Sequence, residues 1–132
     1  MKRQGDQLTF SPSDLVRYVE SPFTSWMARM ELEIPDHDIP KNAPDPLLSY
    51  LADKGYEHEE RFFNELRKKH SSVIQIDDKL LEDGQVQATM DAMQAGADVI
   101  FQACLRKKPF RGFADFLIKT DQPSKLGDYS YI

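Results

Sequence analysis

The sequence predicts an α+β fold, with helices in the first two thirds and a short meander of strands at the end. Three observations predict it. Ser11-Pro12, Ser21-Pro22 and Asp45-Pro46 each set a capping residue before a proline, the pairing that opens a helix. From Leu47 to about Lys69 the apolar residues recur at helical spacing. After Gly96, three strand-like runs follow one another with no helical pattern between them.

Taken in order, residues 1–10 are polar and are expected as a flexible lead-in. Residues 11–45 are expected to hold two short helices and a proline-rich loop. Leu15, Val16 and Val19 form the apolar side of the first helix, and Phe23, Trp26, Met27 and Met30 that of the second. Pro35, Pro40 and Pro44 mark the loop, in which Asp36-His37-Asp38 is read as solvated. Residues 46–132 are expected to form the main domain. Its long helix carries Leu47, Leu51, Gly55, His58, Phe62 and Leu66 on one stripe. Arg67, Lys68 and Lys69 make a basic last turn, which suits the helix dipole and also offers a phosphate contact. Val73 to Ile76 reads as a strand, and Val86 to Ala95 as a helix ended by Gly96. The three closing strands are Asp98 to Leu105, Phe110 to Lys119, and Tyr129 onward. Arg106-Lys107-Lys108-Pro109 forms the turn between the first two. The last strand pattern is unfinished at Ile132, so a longer core is expected.

Composition narrows the function. Hydrophobic residues make up 40% and charged residues 30% of the 132 residues, a globular balance. A net charge of −5 gives no broad electrostatic reason to coat nucleic acid, so any phosphate contact must come from a local patch or a bound metal. The single cysteine, Cys104, excludes an internal disulfide framework and an all-cysteine metal site within the chain. No apolar run approaches the ~20 residues of a membrane helix and no signal peptide opens the chain, so the cytoplasm is the expected compartment.

Two polar residues fall in apolar settings. His58 lies on the stripe of the long helix, one turn after Gly55. It reads either as a core histidine bonded to a backbone carbonyl or as a ligand. Helix glycine costs about 1 kcal/mol against alanine, which a close approach of another element would offset. Strand alternation puts Asp115 between Phe113 and Leu117, on a face expected to be covered. A buried carboxylate requires a cation, so Asp115 reads either as paired with Arg111 or Lys119 or as a metal ligand. Imidazole nitrogen and carboxylate oxygen together suit Mn²⁺ and, with water and phosphate, Mg²⁺.

The chain resembles the RecB-like branch of the PD-(D/E)XK nucleases and, more distantly, the CRISPR-associated RecB-like exonucleases. The resemblance rests on Ser11-Pro12-Ser13-Asp14-Leu15, Gly55-Tyr56-Glu57-His58-Glu59, Ala97-Asp98-Val99-Ile100-Phe101-Gln102-Ala103 and Gly112-Phe113-Ala114-Asp115-Phe116-Leu117, in that order. It implies the first part of a restriction-endonuclease-like core, with one long helix packed on a three-stranded meander. It also implies a metal-dependent deoxyribonuclease using Mg²⁺ or Mn²⁺, with DNA as partner, DNA repair as setting and a helicase as possible associate. By motif, His58 and Asp115 resemble the metal-binding catalytic pair. Glu59 is a secondary candidate, its helical direction differing from that of His58. Arg67, Lys68, Lys69, Lys107 and Lys108 are candidate nucleic-acid contacts. The family's acid-x-lysine element does not occur after Asp115, because Asp77-Asp78-Lys79 follows the wrong strand. The chain alone is therefore expected to be nearly inactive. Serine stands at position 21, where many relatives have a cluster cysteine, so no iron–sulfur cluster is expected. The alternative reading is a non-catalytic, nuclease-like interaction module.

Overall fold

The computed structural model describes residues 1–40 and 43–132. The fold is mixed α+β, and the chain divides into two compact units. The first comprises Met1–Asn42 with Arg106–Gly112, and the second Ala43–Leu105 with Phe113–Ile132. The segment 106–112 thus belongs to the first unit although it lies far along the chain.

In the first unit, residues 1–10 are not a lead-in without structure. They form an antiparallel hairpin of β1 (Lys2–Gln4) and β2 (Gln7–Thr9), turning at Gly5 with φ +59°. Helix α1 (Pro12–Glu20) begins where Ser11-Pro12 predicts. The Ser11 hydroxyl accepts from Asp14 N–H while Asp14 accepts from Ser11 N–H, a complete capping box. Helix α2 (Pro22–Glu33) opens on Ser21, whose hydroxyl accepts from Thr24 N–H at 3.3 Å. Phe10 N–H donates to the Pro109 carbonyl and Arg111 N–H to that of Phe10, each at 2.9 Å. A Cβ at Gly112 would lie 3.1 Å from Pro12 Cδ, so a larger residue there would push these segments apart by a few tenths of an ångström. The apolar sides expected of α1 and α2 stay open. Leu15, Val16, Val19, Phe23 and Trp26 are all exposed, because this small unit stacks too few elements to cover them.

Asp14 is the buried residue of α1. Burial raises its carboxyl pKa, but the N-terminal ammonium and the Ser11 N–H and hydroxyl outweigh this and hold it at about 2, against an ordinary 3.8. Arg17 adds an ion pair at 3.0 Å. A depressed folded-state pKa stabilises above the unfolded value, and that stabilisation disappears as pH falls through the folded one. Stability is therefore expected to fall by at most about 2 kcal/mol between about pH 5 and pH 2. Urea unfolding across this range should show a flatter profile for Asp14→Asn. An identical profile would remove Asp14 as the cause.

In the second unit, helix α3 (Pro46–Lys69) starts at the Asp45 cap, with Leu47 N–H donating to Asp45 Oδ1 at 2.9 Å. Strand β3 (Val73–Gln75) leads into α4 (Glu82–Gln94), then β4 (Val99–Lys107), β5 (Phe110–Thr120) and β6 (Ser130–Tyr131). The sheet runs β3-β4-β5-β6. It is four-stranded and mixed, which corrects the three-stranded meander. The expected meander is its β4-β5-β6 part, and β3 adds to it in parallel with Val73 opposite Val99. A parallel partner needs a crossover, which α4 supplies. Helix α4 begins one turn before its expected start because Leu81, its N-cap, makes no side-chain cap bond that would announce it. The turn between β4 and β5 is shorter than expected, only Lys108-Pro109.

Two layers of helix-to-sheet contact organise this unit. Ala88, Ala92 and Met93 of α4 pack with Ile76, Ile100, Ala103 and Leu117. From α3, Phe63 stacks on Phe101 at 4.2 Å between centroids, and Phe62 meets Phe116 edge-on at 5.0 Å. The C-terminal carbonyls of α4 are satisfied from the sheet side. Tyr129 Oη donates to Met93 and Gln94, and Lys119 Nζ donates to Gly96 at 3.2 Å. Gly96 takes the left-handed C′ position with φ +71°, as its place in the sequence predicts. Among the described residues no helix is long and apolar enough to cross a membrane.

Candidate metal-binding groove

A groove of about 530 Å³ lies in the second unit between α3 and β5. Its walls are Ala52, Gly55, Tyr56, His58, Glu59 and Phe62 from α3 and Asp115 and Phe116 from β5. The structure thus brings His58 and Asp115 to one cavity. It does not bury them. Both are exposed, which corrects the expectation of a histidine on a buried stripe and an acid on a covered face.

The helix differs from the expected stripe because its buried residues are Phe63 and Leu66, not Leu47, Leu51 and His58. The aromatic contact with Phe101 fixes the helix rotation and turns His58 to the rim. Nor does Gly55 mark a close approach, since a Cβ there would meet nothing within 4 Å.

Asp115 departs for a different reason. Strict alternation would put Asp115 and Phe116 on opposite faces. Instead both line the groove, while Ala114 and Leu117 both pack on the α4 side. The neighbouring strand slips likewise: Phe101 and Gln102 meet α3, whereas Ile100 and Ala103 meet α4. Gln102 has φ +57°, the one non-glycine residue with positive φ among those described. An extra residue in a strand, with one residue out of the extended region, is the mark of a β-bulge. The Cys104 N–H next to it bonds at 3.0 Å to the hydroxyl of the buried Thr89 on α4.

Glu59 was expected to point away from His58, yet both line the groove. The width of the cavity along α3 admits neighbouring helical directions. The Glu59 carboxylate accepts from Gln102 Nε2. Lys119, a sequence candidate for pairing with Asp115, is engaged elsewhere, on the Gly96 carbonyl and over the Tyr129 ring at 4.6 Å. Among the described residues no three His, Cys, Asp or Glu side chains cluster as a metal cage. The groove offers one imidazole and two carboxylates spaced along its walls. That donor set suits an ion that keeps much of its water, as Mg²⁺ does on one or two carboxylates plus phosphate.

The other sequence candidates are not drawn into one patch. Arg67 sits over the Phe63 ring at 5.5 Å and lines a second groove with Glu59, Gln75 and Gln102. Lys68 and Lys69 are exposed at the end of α3. Lys107 and Lys108 belong to the first unit. Asp77-Asp78-Lys79 is a turn, with Lys79 N–H donating to Asp77 Oδ1 at 2.9 Å, and not a strand-borne acid-x-lysine element. The left-handed backbone of Gln102 escaped the sequence reading, since nothing in a β-rich run of residues signals it. The chain matches no protein-family model, and comparison with curated proteins and with solved structures finds no similar one.

Proposed function

We propose that this chain supplies part of a divalent-metal phosphodiesterase site, with DNA as the substrate class. The observation that carries the proposal is that His58, Glu59 and Asp115 line one groove, from a helix and a strand far apart in sequence. The resemblance to RecB-like nucleases had singled out the same three residues. Asp115 and His58 would hold Mg²⁺ or Mn²⁺ through oxygen and nitrogen. When bound, such an ion activates water and neutralises charge on a phosphodiester. Phe62 from α3 and Phe116 from β5, in edge-on contact, give the groove an apolar part. The acid and lysine that complete the family's site are not among these 132 residues, so the chain alone should hydrolyse DNA only feebly.

Titration with Mn²⁺, followed through the paramagnetic signal of the free ion, tests the reading. The protein is expected to bind one ion. Asp115→Ala and His58→Ala should each weaken binding at least about tenfold. Both side chains are exposed, so neither change should disturb folding. Binding that survives both substitutions removes the site. That no three His, Cys, Asp or Glu side chains cluster among the described residues favours a second reading, a nuclease-like module without catalysis. That reading predicts no saturable Mn²⁺ binding at all.

A further inference from the structure

We infer that the groove between α3 and β5 receives a small quaternary-ammonium cation, recognised by aromatic rings and unpaired carboxylates. This inference does not rest on the metal reading above. Three observations carry it. The first is the lining: Tyr56 and Phe62 from α3 and Phe116 from β5 set three aromatic rings along a space of about 530 Å³. The second is charge. Glu59 and Asp115 line the same space, and among the described residues neither has a lysine or arginine within ion-pair distance. An apolar groove edged by uncompensated acids is complementary to a cation whose own surface is apolar, which describes an alkylated ammonium. A metal ion needs several oxygen ligands at about 2.0–2.6 Å. No three His, Cys, Asp or Glu side chains cluster that way among the described residues. A bulky organic cation needs only ring faces within about 6 Å of its charge, with acids nearby. The third observation is Gly55. Glycine weakens a helix interior, yet no neighbouring element takes up the space it leaves, since a Cβ there would meet nothing within 4 Å. That space opens onto the groove.

Titration with choline, followed by NMR with a chelator present to exclude metal, tests this. Saturable binding is expected. The neutral isostere of choline, with a tert-butyl group in place of trimethylammonium, keeps the shape and loses the charge. It should bind at least about tenfold more weakly. Tyr56→Leu removes a ring and Asp115→Asn a charge, and each should weaken choline binding about three- to tenfold. Gly55→Leu should fill the groove. Leucine is the better helix former and its Cβ meets no neighbour, so the thermal midpoint should hold or rise while choline binding disappears. That variant separates a blocked groove from a damaged fold. No saturation by choline in the unaltered protein overturns the proposal. Equal affinity for the neutral isostere, or binding that survives Gly55→Leu, overturns it too. Failure of Mn²⁺ to bind removes the metal reading alone, since choline and its isostere are compared without metal.

Discussion

Replacing Ile100 with alanine is expected to lower the unfolding free energy by about 2–5 kcal/mol. Ile100 is fully buried at the centre of the cluster formed by Ile76, Ala92, Ala97, Ala103 and Leu117. Three of those neighbours are alanines, whose short side chains have little freedom to move into the space left behind. The loss should therefore fall toward the cavity-forming end of the range. Ile100 faces α4, whereas the groove lies on the α3 side, so the variant should keep its Mn²⁺ affinity wherever it remains folded. Urea unfolding read beside metal titration checks both halves. A loss below 1 kcal/mol would mean that the α4 layer is not the main core of this unit.

Thr89→Val should cost about 1–3 kcal/mol even though its shape is nearly unchanged. The Thr89 hydroxyl donates to the Gln85 carbonyl at 2.8 Å and accepts from the Cys104 N–H at 3.0 Å, with no exposed surface. Valine removes the acceptor beside the bulge without offering water in its place. Thr89→Ser keeps the hydroxyl and should recover most of the hydrogen-bond contribution. Equal stability for valine and threonine in chemical denaturation would show that the strand does not depend on this contact. Ile100 and Thr89 share the α4 layer, so their penalties need not add.

The helices were the most legible part of the fold. Each Ser-Pro or Asp-Pro pair opens a helix at the expected residue, because capping is decided by a few atoms within one turn. Helix α4 shows the converse: with no side-chain cap on Leu81, its first turn is marked only by the acidic Glu82 and Asp83. The parallel pairing of β3 was not legible, since three residues of strand do not reveal which neighbour they will join or in which direction. The hairpin of residues 1–10 was missed because its strands are short and polar. For the groove, the sequence pointed to His58 and Asp115 as residues out of place. It gave the wrong reason, burial, because the face of α3 that packs is the one with Phe63 and Leu66, and because strand alternation was continued through a position where β5 slips.

By itself the sequence determined where α1, α2 and α3 begin, which stretches after α3 are strands, and which titratable side chains stand out from their surroundings. These are local properties, set by backbone sterics, capping and the spacing of apolar residues. Only the tertiary structure decided that β3 runs parallel to β4, that α3 packs through Phe63 on Phe101 and leaves His58 exposed, and that a slip in β5 brings both Asp115 and Phe116 onto one groove. Those outcomes depend on which surfaces pack together, and one residue of slip in a strand exchanges the faces of every side chain beyond it.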